Sequence, residues 1–275
     1  MRFLGRIVPL KLRFYTGSDD KLAEVIPICP KLSNFKLFVT DAITDLANVL
    51  KSATNSLDRI SLIFGPLDRT IDPAQRTLGP LPGLSPFLQS CGNRISSLEI
   101  DFSSVSSTNS ISIQDFKTIS EHCPLLDSLN FARFHLEQPA DTIPATPIKL
   151  NFLTSLRLID VEVESCGREF FLYVLGGCPE LENLLISFRS TTFYFNDFLL
   201  DDILLLNSFG RLENFLLSEV SLTLISALRM ISDRPKLTSI GHLLQWDVEE
   251  CELDAFAQIL RRAKSLNLLQ DISIL

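Results

Sequence analysis

The chain has 275 residues, 46% of them hydrophobic and 21% charged, and its aromatics are mostly phenylalanine, 20 Phe against 3 Tyr and 1 Trp. Such a composition builds a bulky apolar interior and excludes a disordered or low-complexity chain. The formal charge of -8 argues against a nucleic-acid partner, because phosphate binding needs concentrated Lys and Arg.

The first residues, Met1-Arg2-Phe3-Leu4-Gly5-Arg6, place charges where an export signal needs an unbroken apolar stretch, so none is expected. From Ile7 onward an L-x-x-L-x-L pattern recurs, with Ile or Phe sometimes replacing Leu. In chain order it reads Ile7/Leu10/Leu12, Leu32/Phe35/Leu37, Leu57/Ile60/Leu62, Ile95/Leu98/Ile100 and Leu126/Leu129/Phe131. It continues as Leu153/Leu156/Leu158, Leu181/Leu184/Ile186, Leu212/Phe215/Leu217, Leu237/Ile240/His242 and Leu269/Ile272/Ile274. The first positions of these ten copies lie 25 to 38 residues apart. Leucine-rich repeats have periods of about 20 to 29, and loops inserted on one face lengthen them.

Within each copy the L-x-L pair alternates with period two, so its apolar side chains leave one face of a short strand. Between the strands, apolar spacings of three and four predict helices: Ile43, Leu46, Ala47 and Leu50; Phe170, Phe171, Tyr173 and Val174; Leu253, Phe256, Ala257 and Leu260. Asp41, Asp115 and Asp254 stand at or near the expected helix starts, where a carboxylate meets unpaired N–H groups. One strand-plus-helix unit cannot bury its own apolar face, but stacked units can. The expected fold is therefore an α/β leucine-rich-repeat solenoid, a horseshoe of about ten repeats in one domain over residues 1–275, with a parallel concave sheet and outer helices.

Three stretches interrupt the period: 65–86, rich in Pro and Gly; 103–112, serine-rich; and 132–150, with Pro139, Pro144 and Pro147. They read as inserted loops or connectors. The longest apolar candidate, Phe198 to Leu206, is broken by Asp201 and Asp202 and falls short of the roughly 18 residues of a membrane span. The 6 cysteines form no close pairs and no Asn-x-Ser/Thr site occurs, which points to a reducing cytoplasmic or nuclear setting.

At the junctions, Cys29-Pro30-Lys31-Leu32, Cys123-Pro124-Leu125-Leu126 and Cys178-Pro179-Glu180-Leu181 share a Cys-Pro-x-Leu entry into the strand. Proline stops the preceding helix, and the small cysteine packs under its last turn. On these residues the chain resembles the ribonuclease-inhibitor-like, cysteine-containing leucine-rich repeats of F-box proteins, over residues 7–275. The resemblance implies repeats that recognise a substrate protein, while a separate N-terminal F-box docks on a Skp-family adaptor of a cullin ubiquitin ligase. Two departures stand out. The slot the family fills with Asn or Cys holds Thr40, Gly65, Ser103, Phe134, Val161, Arg189, Val220 and Gln245, and a first repeat opening at Ile7 leaves no room for the F-box.

No G-x-S-x-G, phosphate-binding loop, H-E-x-x-H or C-x-x-C is present. His122, His135 and His242 lack companions at metal spacing, and Gly176-Gly177 reads as a helix C-cap rather than a phosphate cradle. No catalytic residue, metal or cofactor is expected. The candidate binding surface is the set of positions between the strand apolars: Lys11, Arg13, Lys36, Arg59 and Ser61; then Glu99, Asp101, Asp127, Asn130 and Arg157; then Leu185, Leu216, Gly241 and Leu243. This face grades from basic through acidic to apolar, and exposed leucines at strand positions mark either a partner site or a surface covered by the chain's own loops. Three functions fit: an F-box-type substrate receptor, a stand-alone interaction scaffold, or a regulator built on the same repeat.

Overall fold

The computed structural model describes residues 13–15, 34–39, 58–64, 84–102, 110–136, 146–163, 167–189, 210–220, 236–240 and 243–244, with single positions at 202, 254, 257–258 and 261. The chain divides into two compact units, Met1–Glu137 and Gln138–Leu275, each a parallel sheet with few helices.

The first unit holds strands β1 (Arg13–Tyr15), β2 (Asn34–Val39) and β3 (Arg59–Phe64), then helix α1 (Leu84–Cys91) and a single 3-10 turn at Gly92–Arg94. There follow β4 (Ser97–Phe102), β5 (Ser110–Ile111), helix α2 (Ile113–His122), β6 (Ser128–Ala132) and β7 (His135–Leu136). The order β1-β2-β3-β4-β6 is parallel throughout, with β5 pairing β7 separately. Parallel neighbours need long crossovers; α1 fills part of the one before β4 and α2 the one before β6, and the two helices pack on each other. The second unit comprises β8 (Ser155–Val163), helix α3 (Gly167–Leu175), β9 (Asn183–Phe188), β10 (Asn214–Val220), β11 (Ser239–Ile240) and β12 (Leu243–Leu244). Its order is β8-β9-β10-β11, with β12 beside β10.

The core is built from the repeating apolar triplets. Ile95, Leu98 and Ile100 are buried, as are Leu126, Leu129 and Phe131 in the first unit. In the second unit Leu153, Leu156 and Leu158, Leu181, Leu184 and Ile186, and Leu212, Phe215 and Leu217 are buried too. Phenylalanines fill the space beneath: Phe116 packs on Phe131, and Phe131 on Phe134, at ring separations of 5.0 and 5.7 Å. On α3, Phe170, Phe171, Tyr173 and Val174 are all buried, which bears out the stripe expected there, and Phe171 meets Phe188 edge to face at 5.9 Å.

A backbone clamp recurs from repeat to repeat. The Asp58 carbonyl accepts from the N–H groups of Ser96 and Ser97 at 2.8 and 3.1 Å, and Ser96 accepts from Asp127 and Ser128 at 2.8 and 3.0 Å. In the second unit Thr154 accepts from Glu182 and Asn183, both at 2.9 Å, and Glu182 from Glu213 and Asn214 at 2.8 and 2.9 Å. In these four copies the two residues after the first apolar position are the donors, and the carbonyl of the first of them at Ser96 and Glu182 is the next acceptor. A tight turn precedes β4, β6, β8 and β9: Ile95 N–H donates to Gly92, Leu126 to Cys123, Leu153 to Leu150 and Leu181 to Cys178, at 3.0 to 3.3 Å. The Cys91 and Cys178 thiols each donate to the carbonyl one helical turn back, Phe87 and Val174, at 3.2 Å. The cysteine thus sits under the last turn, as its small size and weak donor allow.

Several sequence expectations shift. Arg13 pairs with Lys36 and Phe14 with Leu37, so Phe14 rather than Leu12 holds the third apolar register position of the first copy. A two-residue shift keeps every side chain on its face, and for that reason the alternating pattern alone does not fix the phase. The serine-rich stretch ends in structure: Ser110 and Ile111 form β5, and Ser112 caps α2. Asp115, read as a helix-start acid, completes a capping box there, its carboxylate accepting from the Ser112 N–H at 2.8 Å. The 43–50 stripe, the copy at 269–274 and His242 lie outside the described residues, as do most of the 253–260 stripe and most of 65–86.

Candidate functional site: the open face of the sheet

The register lines up the positions between the apolar ones. In the first unit Arg13, Lys36, Ser61, Glu99 and Asn130 form one row across β1, β2, β3, β4 and β6. A second row, two residues earlier, runs Asn34, Arg59, Ser97, Ser128, and a third, two later, runs through Ile63, Asp101 and Ala132. All three share the face opposite the buried leucines. Arg59 is exposed and Lys36, Glu99, Asp101 and Asn130 are half-buried, while Ser61, Ile63 and Ala132 are buried on this same face. Asp127 is exposed but belongs to the clamp turn before β6 rather than to a row.

Polar contacts tie the acidic half together. The Asn130 side-chain amide donates to Glu99 Oε1 at 3.3 Å. Arg133 donates through Nε to the Phe102 carbonyl at 2.7 Å, and its guanidinium pairs with the Asp101 carboxylate. Arg133 holds a left-handed backbone with φ 60°, and Asp160 does the same with φ 53° at the equivalent slot beyond Leu158. Each is a local kink where the strand leaves its first ladder; at β8 the register slips there. Burial raises the Asp101 carboxyl above its ordinary value; Arg133 pulls it down, Glu99 adds to the rise, and Lys36 lowers it. Two buried oxygens on this face, Ser61 Oγ and Asn130 Oδ1, have no hydrogen-bond partner.

In the second unit Arg157, Leu185 and Leu216 share a row across β8, β9 and β10, Arg157 exposed and both leucines half-buried. One row earlier, the Asn214 amide donates to Asn183 Oδ1 at 2.6 Å, and the Thr238 hydroxyl donates to Asn214 Oδ1 at 3.3 Å. Leu243 pairs in register with Ser218. Lys11 and Gly241 lie outside the described residues.

Sequence reasoning passed over Arg133 and the Asn183–Asn214–Thr238 chain. A signal for the second existed, since Glu-Asn follows the first leucine in two consecutive copies, Leu181 and Leu212. Arg133 left no such signal, because the left-handed region favours Gly, Asn and Asp rather than Arg.

Among the described residues no group of three or more His, Cys, Asp or Glu side chains is placed to hold a metal ion. Burial pushes the Cys91 thiol up to about 11 and those of Cys123 and Cys178 to about 12, so all three stay protonated and unreactive at neutral pH. No described helix is long and apolar enough to cross a membrane. No protein-family model matches the chain, and no curated protein matches it. The arrangement presents two row systems of side chains on a parallel ladder, offering charge, hydrogen-bonding groups and apolar surface at fixed strand spacing.

Proposed function

We propose that the chain is a leucine-rich-repeat solenoid that binds another protein on its concave sheet face, serving in the cytoplasm or nucleus as the substrate-recognition repeats of an F-box-type ubiquitin-ligase receptor. The observation that carries the binding role is the register itself: Lys36, Ser61, Glu99 and Asn130 in one unit, and Arg157, Leu185 and Leu216 in the other, stand side by side on the face away from the core. Half-buried leucines at Leu185 and Leu216 add apolar area that the core does not require. The clamp that recurs from Asp58 to Glu213 supports stacked repeats. The link to a ligase rests on the Cys-Pro-x-Leu resemblance, whose cysteine and turn geometry recur at Cys123 and Cys178.

Affinity capture from native lysate tests this, comparing the wild-type chain with an Arg59→Glu/Leu216→Glu variant. We expect a partner retained by the first and lost by the second, with a cullin adaptor co-purifying with the full-length gene product. A partner lost without any adaptor leaves a stand-alone scaffold. Identical capture by both baits removes the sheet face as the binding surface.

A further inference from the structure

The open face of the first unit changes sign between β3 and β4. Lys36 and Arg59 lie on the basic side, and among the described residues neither has an ion-pair partner. Glu99 lies on the acidic side, in register with Ser61 and Asn130, and its one hydrogen bond there is the 3.3 Å contact from the neutral Asn130 amide. Asp101 is already neutralised by Arg133, so Glu99 is the free anion of this strip. Between the two charges sits Ser61, 7% exposed, with a hydroxyl that reaches no acceptor and no donor. Asn130 Oδ1 is likewise buried and unpartnered at the end of the row. A buried hydroxyl and amide oxygen left without partners are uncommon in folded proteins and mark places where a further group completes the bonding.

We propose that this strip docks an extended segment of a partner protein carrying an acidic residue and, about three residues away, a basic one. The acid lies over Lys36 and Arg59 and the base meets Glu99. The inference rests on the reading of the sheet face as a protein-binding surface and adds what that face selects. The spacing follows from the ladder. Neighbouring strands lie about 4.8 Å apart, so Lys36 on β2 and Glu99 on β4 are separated by about 10 Å. A segment extended in the polyproline-II form rises about 3.1 Å per residue and returns to the same face every three residues, so it spans that distance with both charged side chains toward the sheet. Opposite charges facing across such a strip fix the register of the guest and repel a segment laid the wrong way round.

Random dodecapeptides displayed on phage and panned against the full chain provide the test. Enriched peptides should pair Asp or Glu with Lys or Arg about three residues apart. As synthetic labelled peptides in fluorescence anisotropy they should lose at least about tenfold in affinity against Lys36→Gln/Arg59→Gln and against Glu99→Gln, and weaken as salt rises. These neutral substitutions avoid the repulsion that a charge reversal adds, and thermal melting checks that each variant remains folded. Enriched peptides without the acid–base pair, or with equal affinity for the variants, overturn the inference. If those peptides instead lose binding to Leu216→Glu, the sheet face survives as a binding surface and only the charge reading fails. If no sheet-face substitution affects them, both fail. A library that yields no binder overturns the inference alone, since the capture experiment judges the face independently.

Discussion

At Asp101 burial opposes the attraction of its ion-pair partner Arg133. The carboxylate has 18% and the guanidinium 33% of its side-chain surface exposed, and burial outweighs the cation, so the Asp101 carboxyl sits above its usual 3.8. The folded state therefore holds this proton more tightly than the unfolded chain does. The cost of ionising Asp101 is absent below 3.8 and grows as pH rises through the raised value, so this group subtracts stability at neutral pH. Asp101→Asn should accordingly change stability at pH 7 by less than about 1 kcal/mol. Arg133→Gln, which strands the carboxylate, should cost about 1–3 kcal/mol at neutral pH and less in acid. Urea denaturation across pH checks both, and a cost of Arg133→Gln that grows toward acid would contradict the assignment. The parity of the strands made Lys36, Glu99 and Asn130 legible in the sequence as neighbours on one face. The burial of Ser61 was not legible, because it depends on how the surrounding side chains settle and not on its own alternation.

At the level of the element, the apolar phase expected from the sequence matches the strand register at β4, β6, β8, β9 and β10. Among the described strands β1 alone is displaced, by two residues, since alternation is blind to such a shift. Asp115 stands near a helix start as the sequence leads one to expect, in the third position of α2, where it is the reciprocal partner of the N-cap Ser112. The end of α3 shows the tightest constraint between elements. A Cβ on Gly177 would land on the carbonyl oxygen of Ile148, in the extended chain that lies along the helix end, and the Leu150 N–H donates to the Gly177 carbonyl at 2.9 Å. Backbone meets backbone there, and a methyl group has nowhere to go. Gly177→Ala should destabilise the protein by about 1–3 kcal/mol by forcing the two segments apart, whereas alanine at Gly210, where nothing lies within 4 Å, should be tolerated. Paired thermal melts of the two variants decide this, and equal midpoints would sink it.

For the molecule as a whole, the recurrent hydrogen bonds imply that, within each unit, a strand and its turn are held chiefly by the next along the chain, the pattern expected of stacked repeats. Truncating a buried leucine should then loosen its own surroundings first. Leu129→Ala in the first unit and Leu184→Ala in the second should each cost about 2–5 kcal/mol, with faster amide exchange concentrated in the unit that carries the change. Uniform acceleration over both units in hydrogen-exchange mass spectrometry would show instead a single all-or-none structure. The clamp has one more implication, for how such a chain can be lengthened or shortened. Glu182 and Glu213 donate at the same place in successive turns, so excising residues 182–212 would join Leu181 to Glu213 and Asn214 with the donor and acceptor still in step. Because the joint is made by backbone groups that every residue except proline carries, duplication or loss of a whole strand-and-turn segment alters the width of the sheet one strand at a time and leaves the seams unchanged. The set of side chains on the open face can therefore drift or be reshuffled while the scaffold beneath it persists.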